Sequence, residues 1–71
     1  MKEIKITTEY ITLGQFLKFA SITGSGGETK IFLADYEIKV NSELEARRGK
    51  KLRTNDIIEV EEFGKYIIKW N

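Results

Sequence analysis

The chain has 71 residues, enough for one small domain, and its 41% hydrophobic and 32% charged content is that of ordinary globular protein. Cysteine and histidine are both absent, which removes disulfides, thiolate nucleophiles and the commonest neutral-pH general base. The net charge is only +1, yet Arg47, Arg48, Lys50, Lys51 and Arg53 place five of the twelve basic residues in one stretch without acids. Seven bases then face eleven acids elsewhere, and charge polarised in this way speaks of partners rather than of fold.

In chain order, Ile4 and Ile6 alternate with Lys5 and Thr7, which predicts a short strand. The opening residues have neither the apolar stretch of an export signal nor the Arg/Ser-rich character of a transit peptide, so a cytoplasmic location is expected. Thr12-Leu13-Gly14-Gln15 fits a capping box, with Ile11 and Phe16 placed as a hydrophobic staple across it. Leu13, Phe16, Leu17 and Ala20 follow at i, i+3, i+4 and i+7, the buried stripe of an amphipathic helix, with Lys18 on the opposite face and Gly24 as its stop.

Ser25-Gly26-Gly27-Glu28 is a second S-x-x-E start, predicting a short helix with Ile31 and Ala34 on one side and Lys30 pointing elsewhere. Gly26-Gly27 reads as a tight corner between the helices, since a phosphate-cradling loop of the P-loop kind needs a Gly-Lys-Ser/Thr ending that is missing. From Asp35 the period changes to two. Ile38 and Val40 flank Lys39, Asn41-Ser42 offers a turn, and Leu44 resumes beyond it, which predicts a hairpin. The basic run comes next with Leu52 as its apolar anchor. Thr54-Asn55-Asp56 turns into a strand at Ile57-Ile58-Glu59-Val60. After Gly64, residues 65–70 form a last strand expected to pair with the first and close the sheet. The fold class is α+β: two short packed helices against a small, mostly antiparallel sheet. The longest apolar runs, such as Ile31-Phe32-Leu33-Ala34, fall far short of the roughly 20 residues that span a bilayer, so no membrane partner is expected.

From Thr12 to about Glu61 the chain resembles the alpha-L RNA-binding motif, the S-four domain, and is most similar to its small free-standing bacterial members. The resemblance lies in Leu13-x-x-Phe16-Leu17-Lys18 and in a second helix opening near Ser25. It continues through Ile38-Lys39-Val40-Asn41-Ser42-Glu43, the basic stretch from Arg47 to Lys51, and Asn55-Asp56-Ile57-Ile58-Glu59-Val60. It implies one RNA-binding domain over residues 1–71, with the family-like core at about 12–61. It also implies non-catalytic binding of structured RNA, with ribosomal or transfer RNA as candidates. Many members begin the first helix with Arg-Leu-Asp and the second with Ser-Arg. Here Thr12-Leu13-Gly14 and Ser25-Gly26 stand in those places, which shifts the RNA contacts toward Arg47 through Arg53.

The candidate RNA-binding residues are Lys18, Lys30, Arg47, Arg48, Lys50, Lys51 and Arg53. Clustered Lys and Arg satisfy backbone phosphates, and Arg adds planar bidentate donors. Few aromatics accompany the run, which favours recognition of shape and phosphates over base stacking. Phe16, Phe32 and Trp70 read as core or sheet-packing residues. Glu43 and Glu45 lack the third group an acid–base site needs, and Glu61-Glu62 reads as a solvated acidic end. No enzyme, metal or other cofactor is expected, and a monomer is. A protein-interaction adaptor that sets the basic loop on an acidic partner is the alternative. Small β-grasp sulfur carriers share the turn and the late strand but need a C-terminal Gly-Gly, where this sequence has Trp70-Asn71.

Overall fold

A computed structural model describes all residues from Met1 to Asn71. In chain order the elements are β1 (Lys2–Ile6), β2 (Ile11–Thr12), α1 (Leu13–Phe19), α2 (Gly26–Asp35), β3 (Ile38–Val40), β4 (Glu43–Leu44), β5 (Lys51–Leu52), β6 (Ile57–Val60) and β7 (Gly64–Trp70). The main sheet has the order β1-β7-β6-β3-β4, and β2 and β5 form a separate two-stranded ribbon. All pairs are antiparallel except β1 with β7, which run parallel. The fold is thus the expected α+β arrangement. The last strand does pair with the first, but the sheet stays open, with β1 and β4 as its edges.

Alternation along the strands sorts the two faces of the sheet. Ile4 and Ile6 on β1, Tyr66 and Ile68 on β7, Ile58 and Val60 on β6, and Ile38 and Val40 on β3 share the face covered by the helices. The opposite face carries Lys65, Glu59 and Lys39 side by side across three strands, an alternation of charge that favours this register. Leu13, Phe16 and Leu17 of α1 are fully buried on the sheet, and the Phe16 ring meets Tyr66 edge-on at 5.2 Å. At the other end of the sheet, Phe32 of α2 stacks on Tyr36 at 4.2 Å and meets Phe63 edge-on at 5.6 Å.

The helix starts follow local chemistry. Gln15 N–H donates to Thr12 Oγ1 at 3.2 Å and Thr12 N–H donates to Gln15 Oε1 at 2.9 Å, completing the capping box. At α2, Glu28 N–H donates to Ser25 Oγ, but the Glu28 carboxylate accepts from Gly24 N–H, one residue before the cap.

Four expectations are corrected. First, α1 ends at Phe19, not near Gly24: Ser21 takes a left-handed φ of 60°, with Ser21 N–H donating to Lys18 O and Ile22 N–H to Leu17 O. That is the Schellman arrangement, which releases the helix before any glycine is reached. Second, α2 buries Thr29 and Phe32, while Ile31 is 64% exposed. Residues 31–34 within that helix are all apolar, so periodicity could not choose a face, and Phe32, read as a core residue, took the buried one. Third, no close approach occurs at Gly26-Gly27: a Cβ at Gly26 would meet nothing within 4 Å, and both glycines lie in the first turn of α2. The corner is held instead by a buried hydroxyl pair, Thr23 Oγ1 to Thr29 Oγ1 at 2.8 Å, with Thr29 donating on to Ser25 O. Fourth, Trp70 lies opposite Ile6 at the end of the sheet, beyond the helices' cover, and is 61% exposed.

Candidate nucleic-acid interface

The basic run is placed by backbone hydrogen bonds to the first turn of α1. A helix start leaves its first N–H groups without intrahelical partners. Here Leu13 N–H donates to Lys50 O at 2.8 Å and Gly14 N–H to Arg48 O at 2.9 Å, while Thr12 Oγ1 takes the Gln15 N–H. Antiparallel pairing of Ile11 with Leu52 and of Thr12 with Lys51 extends the same attachment, and Leu52 is fully buried. The stretch is therefore a fixed strap across the helix start rather than a free loop.

Gly14 decides how closely that strap can lie. A Cβ on it would stand 2.7 Å from Arg48 Cγ, far inside van der Waals contact. The second residue of α1 is thus a glycine over which the Arg48 side chain passes. Arg48 borders two depressions. One, of about 270 Å³ and without hydrophobic lining, is shared with Lys18 of α1 and Gly26 of α2. The other, of about 490 Å³, is shared with Lys30 and Leu33 of α2 and with Ala46. Lys18, Lys30 and Arg48, separated in sequence, thus flank one surface across both helices and the strap.

Lys51 and Arg53 gather elsewhere. Lys51 Nζ lies 4.9 Å, and the Arg53 guanidinium carbon 5.5 Å, from the ring centre of Tyr10. Sequence reading missed Tyr10 because it is distant in the chain, and only the β2–β5 pairing brings it opposite the run. Lys50 is half-buried and its N–H donates to Arg47 O.

Arg47 differs from its neighbours. Its Nε and Nη2 donate to the two oxygens of Glu45 at 3.0 and 3.1 Å, and its backbone N–H donates to the same carboxylate. Those hydrogen bonds and the guanidinium charge hold the Glu45 carboxyl down from its ordinary 4.5 to about 2, and Arg47 is pushed up in turn. The Glu45 side chain is only 12% exposed. Of the seven basic residues singled out from sequence, Arg47 alone is ion-paired.

The turns beside the strap are fixed by Asn41 and Asp56. Asn41 Oδ1 accepts from Ile57 N–H and Asn41 Nδ2 donates to Asp56 Oδ1, while Asp56 Oδ2 accepts from Arg53 N–H. Glu61 is not merely solvated: its carboxylate accepts from Glu37 N–H at 2.7 Å, tying the end of β6 to the start of β3.

Comparison with known proteins gives two matches. The S4 domain family matches residues 4–69, a span that runs from within β1 to within β7. Over 63 residues, covering 89% of each chain, the sequence is 52% identical to a Bacillus subtilis (strain 168) protein named "Probable ribosome maturation protein RlbA". No solved structure matches the chain.

Proposed function

The chain belongs to the S4 domain family, and from that premise we propose that it binds structured RNA through phosphate contacts and performs no chemistry itself. The observation that carries this reading is the seating of Arg48. Its carbonyl is held by the first turn of α1, its side chain crosses Gly14, and Lys18 and Lys30 flank it from two helices. Cations carried on a backbone fixed by hydrogen bonds and helices need less ordering to meet the phosphates of a folded RNA. Gly26 leaves the floor of the smaller depression free of a side chain. Lys51 and Arg53 extend the basic surface past Thr12.

The name of the Bacillus relative, a ribosome maturation protein, brings ribosomal RNA forward as the ligand and a cytoplasmic setting with it. The test is binding of a labelled ribosomal RNA helix by the intact chain. Arg48→Gln is expected to weaken binding across RNA sequences while the protein stays folded. Affinity unchanged by Arg48→Gln would remove the central contact. Cellular partners that persist after RNase treatment would favour an acidic protein as ligand instead.

A further inference from the structure

Beside the strap lies a groove of about 560 Å³ that the phosphate-binding reading does not use. It is bounded by the segment that joins β1 to β2 and by the outer side of α1, with Tyr10 at one side and Phe19 at another. Both rings face solvent, Phe19 at 58% and Tyr10 at 38% exposed, in a chain where Phe16, Phe32 and Tyr66 are buried. Phe19 makes no aromatic contact within the protein, whereas Tyr10 is the ring that Lys51 and Arg53 overlie. The groove is thus continuous, through Tyr10, with the basic surface.

Its chemistry differs from that of the surface it adjoins. Lys5 and Glu9 both line it, so it has no excess of positive charge to attract a phosphate. Gln15 also lines it; its Oε1 is occupied by Thr12 N–H, which leaves the amide NH₂ free to donate. Two exposed rings and a few hydrogen-bonding groups, set next to fixed cations, suit a planar heterocycle attached to a phosphate chain.

We infer that this groove receives one unpaired nucleobase of the bound RNA, stacked on Tyr10 or Phe19, while Lys51 and Arg53 hold the adjoining phosphates. The inference rests on the RNA-binding reading above and adds to it a preference for helices interrupted by a bulge or terminal overhang. Base stacking on an aromatic side chain changes affinity by about 5- to 150-fold.

The experiment compares two RNA hairpins of identical stem, one fully paired and one with a single bulged 2-aminopurine. The wild-type chain is expected to bind the bulged hairpin about tenfold more tightly and to change the fluorescence of the 2-aminopurine. Phe19→Ser and Tyr10→Leu should diminish that preference and signal while leaving affinity for the paired hairpin within about twofold for Phe19→Ser. Tyr10→Phe should retain both. Steep salt-dependent binding with no preference between the hairpins overturns the stacking inference and leaves the phosphate reading intact. Failure to bind either hairpin overturns both.

Discussion

Ser21 and Ser42 adopt φ of 60° and 73°, a region that L-residues with a Cβ enter at a cost. Ser21 closes the Schellman turn after α1, and Ser42 is the second residue of the β3–β4 turn, where Asn-Gly is the favoured pair. Ser21→Gly and Ser42→Gly are each expected to stabilise the protein by about 0.5–1 kcal/mol, read as a rise of a few degrees in Tm. A fall in Tm for either would show that the serine hydroxyl contributes more than the backbone costs. At Glu45 the expectation concerns pH. Its folded-state pKa of about 2 lies below the ordinary 4.5, so its contribution to stability is full above pH 4.5 and is lost as pH falls through about 2. Urea melts of wild type and Glu45→Gln should differ at pH 6 and converge toward pH 2. An equal difference at both would mean that the pair with Arg47 does not matter. Because Glu45→Gln also removes the ion pair, it should free Arg47 to act as one more phosphate contact.

Among the elements, α1 and the strap over it form the unit on which the proposed binding rests. Gly14→Ala exchanges a residue of low helix propensity for the best one, a gain of about 1 kcal/mol, but its Cβ displaces Arg48. The expected outcome is a near-unchanged Tm with RNA affinity reduced as in Arg48→Gln, measured by fluorescence anisotropy. An affinity that stays at the wild-type value would show that Arg48 reaches RNA equally well from another rotamer. The α1–α2 corner has its own test. Thr29→Val leaves the buried Thr23 hydroxyl without its acceptor and should cost about 1–3 kcal/mol, whereas adding Thr23→Val should recover part of the loss.

The elements also show where sequence was sufficient. The α1 capping box, the buried stripe through Leu13, Phe16 and Leu17, and the Asn41-Ser42 hairpin are all local patterns, and each forms as read. What escaped reading depends on tertiary choice. The β2 and β5 strands have two residues each, too few for any period, so neither the ribbon nor Tyr10's place beneath Lys51 could be read from the chain. Periodicity left the buried face of α2 open within a run of apolar residues; Phe32 was legible as a core residue, but its partners Tyr36 and Phe63 were not. At the interface, the basic run was legible as composition. The pairing of Arg47 with Glu45 and the passage of Arg48 over Gly14 depend on how the strap folds back over α1, which no local pattern encodes.

At the scale of the whole molecule, a net charge of +1 conceals two unlike sides. The strap and the outer helix surfaces hold six bases without an ion pair, while Glu37, Glu59, Glu61 and Glu62 line a depression with Lys39 and Lys65 at the β3, β6 and β7 end of the sheet. On the RNA-binding proposal, such polarity orients the molecule as it approaches its ligand. The central claim is that the strap's cations are a phosphate-binding surface, and its most direct test is the dependence of RNA affinity on salt. Each phosphate neutralised contributes about −0.7 to −0.9 to the slope of log K against log salt. For the wild-type chain and a structured ribosomal RNA fragment, a slope of several units is expected. The variant with Arg47, Arg48, Lys50, Lys51 and Arg53 all changed to Gln should remain folded, bind weakly and lose most of that slope. A folded quintuple variant with wild-type affinity and an unchanged slope would contradict the account, leaving the strap's cations solvated and without a part in binding.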